Sequence, residues 1–111
     1  MNKLLEHYIV DVEFPDVSGA EHLEMLQRRD KLFELEPTLS NHEKELLAVA
    51  DRRLVEQATE FYAELSRFID FEQRRQFQQI PVTRWWWYLD VLAQLPHPVF
   101  LTGDYKPLPV S

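Results

Sequence analysis

From Ser40 onward the chain passes about 30 residues without a glycine or a proline, and they keep a helical hydrophobic period. With Leu54 at zero and about 100° per residue, Leu47, Ala50, Ala58, Phe61, Leu65, Phe68 and Ile69 fall within about 60° of it. Arg52, Glu56, Glu60 and Arg67 lie on the opposite side. Ser40 followed three residues later by Glu43 is a capping box. The pairs Arg52–Glu56 and Glu64–Arg67 have spacings that allow ion pairs on one helix surface. Past Asp70 the stripe fails, because Glu72 stands where a leucine should and Phe71 and Phe77 leave the line. The pattern predicts one helix over residues 41–70, kinked or rotated beyond that and ending near Gln79.

Such a helix is long for its chain. Thirty residues at about 1.5 Å each span roughly 45 Å, whereas a globule of this size has a diameter near 34 Å on a radius of gyration of about 13 Å. The helix must protrude, bend or pack against a second copy. At 111 residues the chain is one helical domain, 1–111, with no room for a second complete one.

Prolines divide the remainder, since each disfavours helix in the residue before it. Residues 1–17 read two ways: Val10, Val12 and Phe14 alternate with Asp11 and Glu13 as a strand would, while Lys3 to His7 suit a helical turn. A strand there would need the run Val99-Phe100-Leu101-Thr102 as a partner, giving a short β pairing of the termini. Ser18 to Glu36 is a helix: Ser18 caps it, Glu21 completes a capping box, and Leu23, Leu26 and Phe33 recur at helical spacing. Pro37 ends it. A last helix starts near Thr83 and runs to Leu95, and residues 96–111 form an extended proline-rich tail. The fold class is therefore all-α, a small bundle of three main helices.

Three adjacent tryptophans lie in that last helix. With Trp85 at zero, Leu89, Leu92, Tyr88 and Leu95 cover an arc from about −80° to +40°, the core face. Trp86 then falls near 100° and Trp87 near 200°, beside Asp90 and Gln94. One small bundle does not readily bury all three, so Trp86 and Trp87 are candidates for a partner contact, where tryptophan concentrates. The opposing reading lays Trp86 along another helix and Trp87 under the tail.

The chain is acidic, with 12 basic and 19 acidic residues, the wrong sign for duplex nucleic acid. Between Gln73 and Leu89, however, there is no acid, and Arg74, Arg75 and Arg84 stand among Phe77 and the Trp85–Tyr88 run. Arginine interleaved with aromatics suits a protein partner and, as a runner-up, single-stranded nucleic acid, whose bases stack on rings and whose phosphates meet guanidinium groups. Phe71 and Phe77, where the stripe breaks, join the candidate contact residues.

Catalytic constellations are sparse. With no cysteine there is neither disulfide nor thiol chemistry, and two glycines leave no phosphate-cradling loop. His7, His22, His42 and His97 are scattered without metal-ligand spacing and read as surface histidines. Glu21-x-x-Glu24 offers half of the acidic site of a helical divalent-metal hydrolase, but Glu56, Glu60 and Glu64 face away from the apolar stripe. Ser18 and Ser40 are helix caps rather than nucleophiles. No cofactor is called for. No window is apolar enough to span a membrane, and Glu6, His7 and Asp11 interrupt any signal-peptide core. The reading is a cytoplasmic, non-enzymatic interaction or adaptor module that self-associates as a homodimer along the long helix. Its contact residues are Phe71, Arg74, Arg75, Phe77, Arg84, Trp86 and Trp87.

Overall fold

The computed structural model describes residues 1–95. The proline-rich tail and the run Val99-Phe100-Leu101-Thr102 lie outside the described residues. Among the described residues six α-helices make up the bundle: α1 Lys3–Asp11, α2 Gly19–Leu35, α3 Asn41–Glu56, α4 Ala58–Leu65, α5 Phe71–Gln78 and α6 Leu89–Leu92. Short 3-10 turns occupy Glu36–Thr38 and Trp85–Tyr88. The all-α expectation holds, and no strand occurs among the described residues.

The amino-terminal ambiguity resolves as helix. Asn2 caps α1, its side-chain oxygen accepting from the amides of Leu4 at 2.8 Å and Leu5 at 3.2 Å. Leu5, Tyr8 and Val12 then fall on one buried face, while Val10 and Phe14 of the alternating pattern are exposed. Helical spacing wins because it buries a contiguous stripe, whereas a lone strand would have left its backbone groups unpaired.

The single helix over 41–70 is a correction: the chain breaks it at Gln57, whose backbone departs to φ −108° and ψ 22°. The Gln57 side chain donates to the Val12 carbonyl at 3.2 Å, satisfying the frayed end of α1. Leu47, Ala50 and Leu54 before the break and Ala58, Phe61 and Leu65 after it are all buried, so the stripe passes through unshifted. Two shorter helices replace the single overlong one, which removes the length argument for dimerisation along a straight helix. The helix stops again at Leu65. A turn carries the chain to Asp70, which caps α5 by accepting from the Gln73 amide at 3.0 Å. The ion pairs expected between Arg52 and Glu56 and between Glu64 and Arg67 are not formed. Arg53 instead reaches Glu13 at 3.2 Å, and Arg28 holds Asp11 at 2.8 Å.

Both caps read from serine are present. Ser18 accepts from the Glu21 amide at 3.3 Å, without the returning bond, and Ser40 and Glu43 form the complete capping box. The Glu43 carboxylate also accepts from the Asn2 amide at 2.9 Å, tying the chain start to α3. Its hydrogen bonds from the backbones of Ser40 and Asn2 hold the Glu43 carboxyl below the usual range. Gly19 lies close against α4 and the turn after it: a Cβ there would run into the Phe68 ring and lie 2.6 Å from the Glu64 carbonyl oxygen.

Candidate interaction surface

Two carboxylates organise the interior, and together they account for most of the arginine and tryptophan pattern. Asp51 on α3 accepts from Tyr8 Oη at 2.6 Å and from Arg29 Nε and Nη2 at 2.9 and 3.0 Å. Arg29 is buried, reaches Glu36 at 3.1 Å, and lies with its guanidinium carbon 4.3 Å from the centre of the Trp86 ring. Arg29 Nη1 has no hydrogen-bond acceptor, and the indole face is what the guanidinium meets instead. Burial pushes the Asp51 carboxyl above the usual range despite its bonds to Arg29 and Tyr8. The Tyr8 phenol is driven well up by burial and by the Asp51 charge.

The second hub is Asp30 on α2. A single oxygen, Oδ1, accepts from Trp86 Nε1 at 2.8 Å, Trp87 Nε1 at 2.9 Å and Arg84 at 2.9 Å. Both indoles are buried. This corrects the expectation that a regular helix from Thr83 to Leu95 throws Trp86 and Trp87 outward. Trp85–Tyr88 is a 3-10 turn, with about three residues per turn, followed only by the short α6. The turn is enclosed by α2 and α5, so rings pointing in different directions each find protein. Trp86 meets Phe33 at 5.7 Å and stands edge-on to Trp85 at 5.6 Å. Trp87 is covered by the Arg74 guanidinium at 5.0 Å. Neither buried indole offers a free face on which a base could stack.

The other candidate residues sort by whether the fold has used them. Arg75 makes a two-pronged pair with Asp90 at 2.6 and 3.0 Å, donates to the Trp87 carbonyl at 2.9 Å and lies over the Tyr88 ring. Its hydrogen bonds with Asp90 raise its pKa further, against the pull of burial. Arg84 pairs with Asp30 and covers Phe33 at 4.8 Å. Phe71 is buried against Tyr62 at 5.7 Å. Arg75 and Arg84 of the acid-free stretch are thus neutralised from outside it, by Asp90 and Asp30.

Arg74 and Phe77 remain at the surface. Phe77 is 88% exposed, and the half-buried Arg74 side chain makes no hydrogen bond or ion pair among the described residues, its Nε being buried without an acceptor. They line an open groove of about 290 Å³ together with Phe68, Ile69, Asp70, Gln73 and Gln78. Phe68, which the α3 stripe predicts as core, is 56% exposed. The helix stops at Leu65, however, and Phe68 turns out with the loop. The only sequence signal for this was the predicted helix being too long for its globule.

Histidine and carboxylate placements differ in part from expectation. His22 is buried rather than exposed, with Nε2 3.0 Å from the Pro15 carbonyl and its ring edge-on to Phe61 at 4.5 Å. Glu24 lies 3.9 Å from Arg28, and Glu21 is at the exposed start of α2. No group of three metal-ligating side chains converges among the described residues. No described helix is long and apolar enough to cross a membrane. Comparison with known protein families, curated proteins and solved structures finds no match for this chain.

Proposed function

We propose that this chain is a non-enzymatic, cytoplasmic protein-interaction module whose contact surface is the corner between α4 and α5. One observation carries the reading: two strongly exposed phenylalanines, Phe68 and Phe77, flank an unpaired arginine, Arg74, across an open groove. Every other arginine of the sequence-derived patch is engaged by a carboxylate inside the fold. Large exposed rings cost solubility and seldom cluster without a partner, and arginine beside aromatics is the usual make-up of an interface hot spot. The groove falls just below the roughly 300–1,000 Å³ of sites that enclose small molecules, and it is open, which suits a protruding side chain better. The lack of cysteine fits a reducing compartment.

A photo-crosslinking phenylalanine analogue at position 77, introduced in cells, tests the proposal. A discrete protein adduct is expected, lost when Arg74→Glu is added and absent when the analogue replaces exposed Ala48 on α3. No adduct at 77, or the same adduct from both positions, overturns it.

A further inference from the structure

The segment leading into Gly19, which abuts Phe68, carries another exposed aromatic, flanked in sequence by acids. The loop after α1 presents Phe14, 49% exposed, between Glu13 and Pro15-Asp16. Glu13 is paired with Arg53, whereas Asp16 has no ion pair and is exposed. Phe14, Val10, Asp11, Val17 and Glu21 line a small pocket of about 160 Å³ together with buried His22. This loop leads directly into Ser18 and Gly19, and Gly19 is the residue pressed against the Phe68 ring. An acid-flanked phenylalanine and an arginine-bearing aromatic groove therefore sit side by side on one molecule.

Resting on the interaction reading above, we propose that the partner is a second copy of this chain, in a reciprocal two-fold dimer. In it, Phe14 of each protomer enters the Phe68–Phe77 groove of the other, and Asp16 meets Arg74. Two-fold contacts require that the inserting and receiving elements share one face, because residue i then meets j while j meets i. The adjacency through Gly19 supplies that geometry. Intramolecular insertion is disfavoured by the same adjacency, since the loop is drawn into α2 at the groove's own wall. Charge complementarity sets the register: among the described residues the Arg74 guanidinium has no ion pair, although Asp70 also lines the groove, and exposed Asp16 has none on the loop side. The interface has an apolar centre, the two Phe14 insertions, and a charged rim, the usual division of roles in a specific contact.

Sedimentation equilibrium of the full chain over roughly 1–100 μM, in the range where weak self-association is measurable, should give a dimer. Phe14→Ala and Phe77→Ala should each weaken it by about 30-fold, the scale of an interface hot spot. Circular dichroism of the folded chains should not change, and urea midpoints taken well below the dimer Kd, where association adds no stability, should differ little from the parent. Arg74→Glu and Asp16→Arg should each weaken the dimer, and the double substitution should recover most of the loss. Mixing the Phe14→Ala and Phe77→Ala chains should favour the heterodimer over either homodimer, because only the mixed pair retains one intact insertion. A strict monomer overturns the proposal, as does a dimer indifferent to Phe14. A monomer whose position-77 crosslink joins a different protein overturns the dimer while leaving the interaction function standing. A monomer with no such crosslink overturns both.

Discussion

Asp30→Ala should be among the most damaging single changes to a residue that is not itself fully buried. The Asp30 side chain is 31% exposed, yet its Oδ1 is the acceptor for two buried indole N–H groups and one guanidinium. A buried donor left without an acceptor costs about 1–3 kcal/mol, so two indoles give roughly 2–6 kcal/mol. Water can reach part of the vacated site, which places the loss in the lower half, about 2–4 kcal/mol. Arg84 is itself partly exposed and regains water, so its lost ion pair adds at most a few tenths to about 1 kcal/mol. For a domain of this size the midpoint of thermal unfolding should fall by roughly 10–25 °C. Asp30→Asn keeps an oxygen for the indoles and loses only the charge assistance, so about 1 kcal/mol is expected. Urea unfolding followed by tryptophan fluorescence and by far-ultraviolet circular dichroism measures both, with coincident transitions as the two-state check. Pairing Asp30→Ala with Trp87→Phe should then be less than additive, because one orphaned donor has been removed. Ala and Asn variants of equal stability, or an Ala variant within about 0.5 kcal/mol of the parent, the usual scatter of surface substitutions, would refute this account of the tryptophan run.

Asp51→Asn strips the buried Arg29 of its charged partner and should cost about 3–5 kcal/mol, towards the low end because Glu36 remains 3.1 Å away. A thermal melt showing less than about 1 kcal/mol would mean that water already solvates Arg29. Stability should also depend on pH through two carboxyls of opposite sign. Glu43 is lowered in the folded chain, so its contribution is present above the unfolded pKa and disappears as pH falls through the lowered value. Asp51 is raised, so its contribution declines as pH climbs from the unfolded value to the raised one. The stability difference between the parent and Glu43→Gln should therefore shrink on acidification, and a difference constant from neutral pH down to about pH 2, below ordinary carboxylate pKa values, contradicts the assignment. Gly19→Ala should destabilise by about 1–3 kcal/mol, because the new methyl meets the Glu64 carbonyl, which cannot swing aside as Phe68 can. Urea midpoints of Gly19→Ala with and without Phe68→Ala check this: relief should be only partial.

How much of this was readable from residues alone depends on what each rule measures. Capping chemistry is local, so Ser18, Ser40 and Glu43 were legible and fell where read. Hydrophobic period reports which face is buried, and Leu47 through Leu65 are buried as the stripe requires. It does not report whether the axis is continuous. Gln57 breaks the backbone without shifting the phase, so the stripe looks the same in one helix or two. In residues 1–17 two periods compete because Val12 belongs to both: Leu5, Tyr8 and Val12 form the buried face behind the Asn2 cap, while Val10 and Phe14, its partners in the alternation, are exposed. The partners of Asp30 lie more than 50 residues away, at Arg84, Trp86 and Trp87, and no local pattern links them.

The same distinction explains why the candidate contact residues exchanged places. A helical wheel assigns each side chain a direction relative to a straight axis, and every assignment lapses where that axis ends. The axis ends at Leu65, which turns Phe68 from core to surface. The tryptophans never had such an axis, since Trp85–Tyr88 is a 3-10 turn held between α2 and α5, and they move from surface to core. Arginine follows the rings: Arg29, Arg75 and Arg84 are drawn in over Trp86, Tyr88 and Phe33 and are neutralised there. Arg74 has an indole but no carboxylate. It is a cation already oriented on a rigid ring, at the edge of a groove with two exposed phenylalanines. A carboxylate arriving from outside would therefore meet a guanidinium whose position has already been fixed by the fold, and that preorganisation is what supports the proposed contact surface at this corner.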